Sequence, residues 1–310
     1  MSNQGKTAQR MLQELCVQHQ SNKKWSTAAL YSSVIKKVNA FTQGEDIYLS
    51  DINPCWLKAF EGYMRSSGNC WNTVSTYMRI LHAAINEAVM TSQATFRPLL
   101  FNKVYTGVVA DRENALEAKD MERLIRLSLS RTSELKPVLQ QTLQYFVLSF
   151  MLRGMPFVDI AYLKKKEWRN HQITYRRLKT GRPLVVELEE PALKLLHILI
   201  NKDHSSPYLF PLLHYPDGSE SAHKEYKKVL RNFNNRLKAI SKQLHLKHEL
   251  STYTARHTWV TIAFICNVNT AVITQSVGHS SIKVTETYLK PFQQKAINEA
   301  NRKVLRHVMK

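Results

Sequence analysis

Residues 251–264 read "STYTARHTWVTIAF" and residues 276–290 read "SVGHSSIKVTETYLK". Together they place Arg256, His279 and Tyr288 in that order, with Tyr288 nine residues after His279. These residue types suit chemistry on a phosphodiester, with the tyrosine as the attacking oxygen. A free phenol has a pKa of about 10 and is a poor nucleophile at neutral pH. It becomes useful where cationic donors stabilise both the phenolate and the charge that builds on phosphorus. Arg256 offers a planar, two-pronged donor matched to non-bridging phosphate oxygens. His279 adds a hydrogen bond whose protonation is expected to be adjustable near pH 7.

The order and spacing resemble the tyrosine recombinase (phage integrase) family. Its signature runs His-x-x-Arg, then Gly-His or Gly-Trp, then a tyrosine. The resemblance puts Arg256 in the second-arginine slot, His279 in the second-histidine slot and Tyr288 in the nucleophile slot. Tyr253 stands where the family has its first histidine, which is a departure. A tyrosine can donate a hydrogen bond but is less suited to titrating near pH 7. Tyr253 is therefore expected to orient the phosphate from the same helix face as Arg256, with proton acceptance passing to His279 or water. His257 is expected to be a buried neighbour that braces Arg256.

Two upstream segments extend the resemblance. "FMLRGMPFVDIAYLKKKEW", residues 150–168, is similar to the family's first-arginine helix, and Arg153 is the expected second phosphate clamp. The family places an acidic residue three positions after this arginine, whereas Asp159 lies six after Arg153. Alignment on Asp159 puts Pro156 in the arginine slot; a long guanidinium arm at Arg153 can cover that displacement. The bland alternative pairs Arg153 with the helix end or with Asp159. Arg177 is the alternative clamp. In "RRLKTGR", residues 176–182, Lys179 sits at a predicted hairpin turn. The resemblance assigns Lys179 the general-acid role, protonating the departing 5′ oxygen; without it, a solvated turn lysine is the ordinary interpretation.

The chain carries 44 Lys and Arg against 24 Asp and Glu, a formal net charge of +20. Residues 1–110 hold 11 basic and 6 acidic side chains, and residues 111–310 hold 33 and 18, so the excess is spread over both halves. A distributed excess is the footprint of a polyanionic partner gripped by both halves, and it predicts salt-sensitive binding. No apolar run approaches a membrane span and no leader pattern opens the chain. Cys16, Cys55, Cys70 and Cys266 lack metal-like spacing, and the His245 and His248 pair has no further ligands nearby in sequence. No P-loop occurs. A cytoplasmic protein, with no membrane partner, metal or cofactor, is expected.

Working outward, the first third has helical periodicity. Met11, Leu12, Leu15 and Val17 share one stripe; Leu30, Val34, Ile35, Val38 and Phe41 share a second, with Thr27 as its cap. Pro54 starts a third helix through Trp56, Leu57, Phe60 and Met64 that Gly68 stops, and Val74, Met78, Leu81, Ile85 and Val89 mark a fourth. Helices also follow residue 115, and residues 171–190 alternate as a β-hairpin turning at Lys179–Gly181. The fold class is thus mainly α with a small β-hairpin or sheet. It divides into a helical domain at 1–105, a linker at 106–115 and an α+β domain at 116–310. The resemblance implies that these are a SAM-like core-binding domain and a catalytic domain.

What the resemblance implies is a site-specific DNA recombinase that cuts and rejoins through a 3′-phosphotyrosine. Inversion or excision, or integration of a mobile element, is the expected outcome. Four copies would act on two double-stranded DNA sites, with a host DNA-bending protein as an optional auxiliary, in a bacterial cytoplasm and on the nucleoid when bound. Few residues precede the first predicted helix, which leaves no room for an arm-binding domain. A short inverted-repeat core site, as invertase-like members use, is therefore expected. A final amphipathic helix after Pro291 is expected to dock on a neighbouring protomer. The alternatives are a type IB topoisomerase and a catalytically lapsed DNA-binding regulator.

Overall fold

The computed structural model describes residues 6–95, 97–108, 114–130, 132, 134–287 and 294–309. The chain divides into two compact units, one formed by residues 1–109 with 218–220 and the other by 110–217 with 221–310.

Among the described residues, four helices build the first unit: α1 (Ala8–Ser21), α2 (Trp25–Phe41), α3 (Pro54–Ser66) and α4 (Trp71–Met90). Asn53 caps α3 by accepting from the Trp56 N–H at 2.9 Å, and Pro54 occupies the first helical position, where its missing N–H costs nothing. Gly68 ends the helix in a left-handed conformation, φ +79. Leu57, Phe60, Met64, Val74, Met78 and Leu81 are fully buried and form the centre of the core. Three sequence expectations shift here. Val17 is 49% and Leu30 39% exposed, because the buried stripes run through Met11, Leu12, Leu15 and Cys16 and through Ala28, Tyr31, Val34 and Val38. Helix α2 also begins at Trp25, two residues before the expected Thr27 cap.

The second unit has α5 (Ala118–Leu129), α6 (Pro137–Met151), α7 (Phe157–Tyr162), strands β1 (Trp168–Arg169), β2 (Gln172–Arg176) and β3 (Pro183–Glu187), then α8 (Glu190–Leu199), α9 (Glu220–Gln243), α10 (Thr254–Ile265), α11 (Thr270–Ser276), α12 (Ile282–Glu286) and α13 (Gln294–Val308). Helix α6 buries Leu143 and every residue from Tyr145 to Ser149, so it is wrapped by neighbours and forms the axis of the unit. It packs against α5, α8 and α10. The antiparallel sheet has the order β1-β2-β3, with Ile173 opposite Val186 and Tyr175 opposite Leu184. Ile173, Tyr175 and Val186 face the core at the two-residue period of a half-buried sheet. The hairpin is the expected one, extended by the short edge strand β1. Its turn is closed by Gly181 N–H to the Arg177 carbonyl at 2.8 Å and Arg177 N–H to the Arg182 carbonyl at 2.9 Å.

Among the described residues no helix is long and apolar enough to cross a membrane, and no group of three His, Cys, Asp or Glu is placed to hold a metal ion. Helix α13 leaves Val304, Leu305 and Val308 exposed.

Candidate active site

The site begins where α6 ends. Arg153 and Gly154 both adopt left-handed backbone, φ +59 and +69, which turns the chain sharply towards α7. A Cβ added at Gly154 would lie 2.7 Å from the Arg256 Cα, so glycine is what lets the first turn of α10 seat against this bend. Arg256 completes the contact by donating from Nη1 to the Gly154 carbonyl at 2.9 Å. Gly154→Ala is therefore expected to destabilise the protein by roughly 2–4 kcal/mol, combining left-handed strain with overpacking against backbone that cannot yield. Urea denaturation of the full chain measures this; an unchanged midpoint would contradict the close approach.

Arg256 is only 2% exposed, and its Nη2 donates to the Val277 carbonyl. Arg177, 4% exposed, reaches the same turn: its Nη1 lies 3.1 Å from both the Val277 and Gly278 carbonyls. Its Nε faces Asp159 Oδ2 at 3.4 Å, while Asp159 Oδ1 accepts from the Leu178 N–H at 3.0 Å. Burial pushes the Asp159 carboxyl above the usual carboxylate range, against the pull of the Leu178 N–H and the Arg177 charge. Gly278 sits at φ +65, and a Cβ there would come within 2.7 Å of Arg177 Cδ. The exposed Arg182 reaches the next two carbonyls, donating from Nη1 to His279 and from Nη2 to Ser280 at 3.0 Å. Three arginines thus hold the carbonyl groups of the turn that carries His279.

That cationic surrounding acts on His279. Burial first, then the charges of Arg256, Arg177, Lys179 and Arg182, lower its pKa to about 3. The expectation of a histidine adjustable near pH 7 is corrected: without a bound anion the ring is neutral there, because burial and like charge both penalise the imidazolium. Its Nδ1 lies 2.8 Å from Thr285 Oγ1 on α12.

Arg177, Lys179, Tyr253 and His279 line one cleft of about 120 Å³, together with Thr180, Ser280 and Val284. Lys179 is exposed on the hairpin turn. Tyr253 is the N-cap of α10 and 43% exposed, whereas Arg256, three residues on, is 2% exposed, so the two differ in access to the cleft. His257 is half-buried, with its ring 5.7 Å from that of Tyr253. Arg153 is directed elsewhere: its Nη1 donates to the Val185 carbonyl on β3 at 3.2 Å. Asp159 pairs with Arg177, not with Arg153. Tyr288 lies outside the described residues; α12 ends at Glu286, just before it.

Arg182 and Thr285 have positions that the sequence did not single out. The alignment on Asp159 was the available signal for Arg177, since it emptied the expected arginine slot. Nothing in the linear pattern marked Thr285.

Two family models match the chain: one described as the phage integrase SAM-like domain over residues 10–104, and one described as the phage integrase family over residues 114–295. Among solved structures, the Tn1549 transposon integrase in complex with a circular intermediate DNA aligns with a TM-score of 0.68 at 16% identity, over 96% of this chain and 99% of that one. A lambda integrase dimer bound to a COC′ core site aligns with a TM-score of 0.62 at 14% identity, over 94% and 82%. The XerH site-specific recombinase bound to its difH substrate gives 0.59 at 16% identity, over 89% and 78%. At these identities the likeness concerns the fold. No match was found among curated protein sequences.

Proposed function

The chain belongs to the phage integrase (tyrosine recombinase) family, and from that premise we propose a site-specific DNA recombinase that works through a 3′-phosphotyrosine. The observation that supports this most is the gathering of Arg177, Lys179, Tyr253 and His279 around one cleft, with Arg256 directly behind the His279 turn. Tyr288 attacks the scissile phosphate. Arg256 and Arg177 stabilise the charge on the non-bridging oxygens, exchanging carbonyl partners for phosphate oxygens as DNA enters. Arg177 takes this role in preference to Arg153 because its guanidinium lies beside His279. Tyr253 donates to the phosphate from the cleft rim, and Lys179 protonates the leaving 5′ oxygen. The phosphotyrosine conserves the energy of the broken bond, so rejoining requires no nucleotide.

The +20 charge supplies the grip on duplex DNA. Four protomers act on two short inverted-repeat core sites and carry out inversion or excision, with the exposed apolar side chains of α13 docking on a neighbouring protomer. The test uses nicked suicide substrates and a plasmid with two minimal core sites. The expected result is a covalent adduct that maps to a 3′-phosphotyrosine with a free 5′ hydroxyl, followed by exchange between the sites. Site binding without an adduct would leave a DNA-binding regulator. Adducts with relaxation but no exchange would leave a topoisomerase. Exchange only when long flanking arms are restored would remove the minimal-site reading.

A further inference from the structure

Behind His279 runs a chain of hydroxyl groups whose direction is determined. Thr274 Oγ1 on α11 donates to the Thr270 carbonyl at 2.7 Å. A threonine hydroxyl has a single proton to give. The 2.8 Å contact between Thr274 Oγ1 and Thr285 Oγ1 must therefore be donated by Thr285. That uses the Thr285 proton, so the 2.8 Å contact between Thr285 Oγ1 and His279 Nδ1 must be donated by the imidazole. His279 is 5%, Thr274 6% and Thr285 0% exposed, so solvent offers these groups little alternative partnership. The self-consistent assignment puts the imidazole proton on Nδ1, which leaves Nε2 an acceptor in the neutral ring.

Resting on the recombinase reading, we propose that Thr285, backed by Thr274, is a positioning residue that locks His279 in the Nδ1–H form, so that Nε2 takes the proton of the attacking tyrosine. The step balances. The Tyr288 oxygen bonds to phosphorus, and the bond from phosphorus to the 5′ oxygen breaks. The phenolic proton passes to His279 Nε2, and Lys179 supplies a proton to the 5′ oxygen. Rejoining runs each transfer backwards. The role answers the departure at Tyr253: the slot that holds a histidine in the family holds a poor base here, and the remaining imidazole is presented as an acceptor. The burial and the four cations that penalise the imidazolium oppose this transfer in the free protein, so the ring takes the proton only with the anionic phosphate beside it. Thr285 also lies three residues before Tyr288, so the chain ties the segment entering the nucleophile to α11.

The test combines spectroscopy with cleavage on the full chain. Selective 15N-histidine labelling, with His279→Gln used only to assign the signal, reports which ring nitrogen carries the proton. The expected wild-type signature is a pyrrole-type Nδ1 and a pyridine-type Nε2. Thr285→Val should mix the two tautomers and slow adduct formation by on the order of 10- to 100-fold, with site binding unchanged. Thr285→Ser, which keeps the hydroxyl, should restore both the tautomer and most of the rate. A wild type that traps DNA but carries the proton on Nε2 would overturn the proposal without any variant having to fold. So would Thr285→Val with wild-type cleavage. A wild type that traps no DNA at all would instead sink the recombinase reading.

Discussion

Tyr288→Phe is expected to bind its DNA site with wild-type affinity and to form no covalent adduct on a nicked suicide substrate. The substitution removes one hydroxyl, which is the atom that must bond to phosphorus. The phosphate grip comes from cations elsewhere: Arg177, Lys179 and Arg256 around the His279 turn, within a chain carrying 44 Lys and Arg. Binding and chemistry therefore separate in this variant, and a gel shift beside a denaturing gel reads both. A Phe variant that still traps DNA would mean that another residue is the nucleophile.

The second large effect is expected at Arg177. Deleting the side chain outright would leave Asp159, whose own side chain is 1% exposed, as an unpaired buried carboxyl. Breaking a buried pair in this way costs about 3–5 kcal/mol and would confuse folding with chemistry. Arg177→Lys keeps the charge and the Asp159 pairing but loses the planar fork that spans two phosphate oxygens. Its cleavage is expected to fall by on the order of 100-fold or more, the usual cost of a lost transition-state donor, with site affinity retained and a melting curve lowered by the lost contacts to the Val277 and Gly278 carbonyls. Arg153→Ala should stay within a few-fold of wild type, since its guanidinium is engaged with the Val185 carbonyl. Single-turnover cleavage of both variants decides between them. Loss in Arg153→Ala with Arg177→Lys intact would return the clamp to the end of α6.

The helices of the first unit and the hairpin were legible in the sequence because their causes are local. Pro54 and Asn53 start a helix by neighbouring geometry, and residues 172–187 alternate at the period of a half-buried sheet. The order Arg256, His279, Tyr288 was legible for the same reason: the residues fall within 33 positions and in a recognisable spacing. What the tertiary structure decided was which arginine lies beside the His279 turn and what surrounds the histidine. Two left-handed residues at 153–154 turn Arg153 towards β3, while the hairpin carries Arg177 to a turn about 100 positions away. The charge on His279 depends on burial and on four cations drawn from the hairpin and α10. Its proton position depends on hydroxyls of α11 and α12. Fields and hydrogen bonds act through space and add over every neighbour, so no linear spacing encodes them; only the packed turn brings those neighbours together.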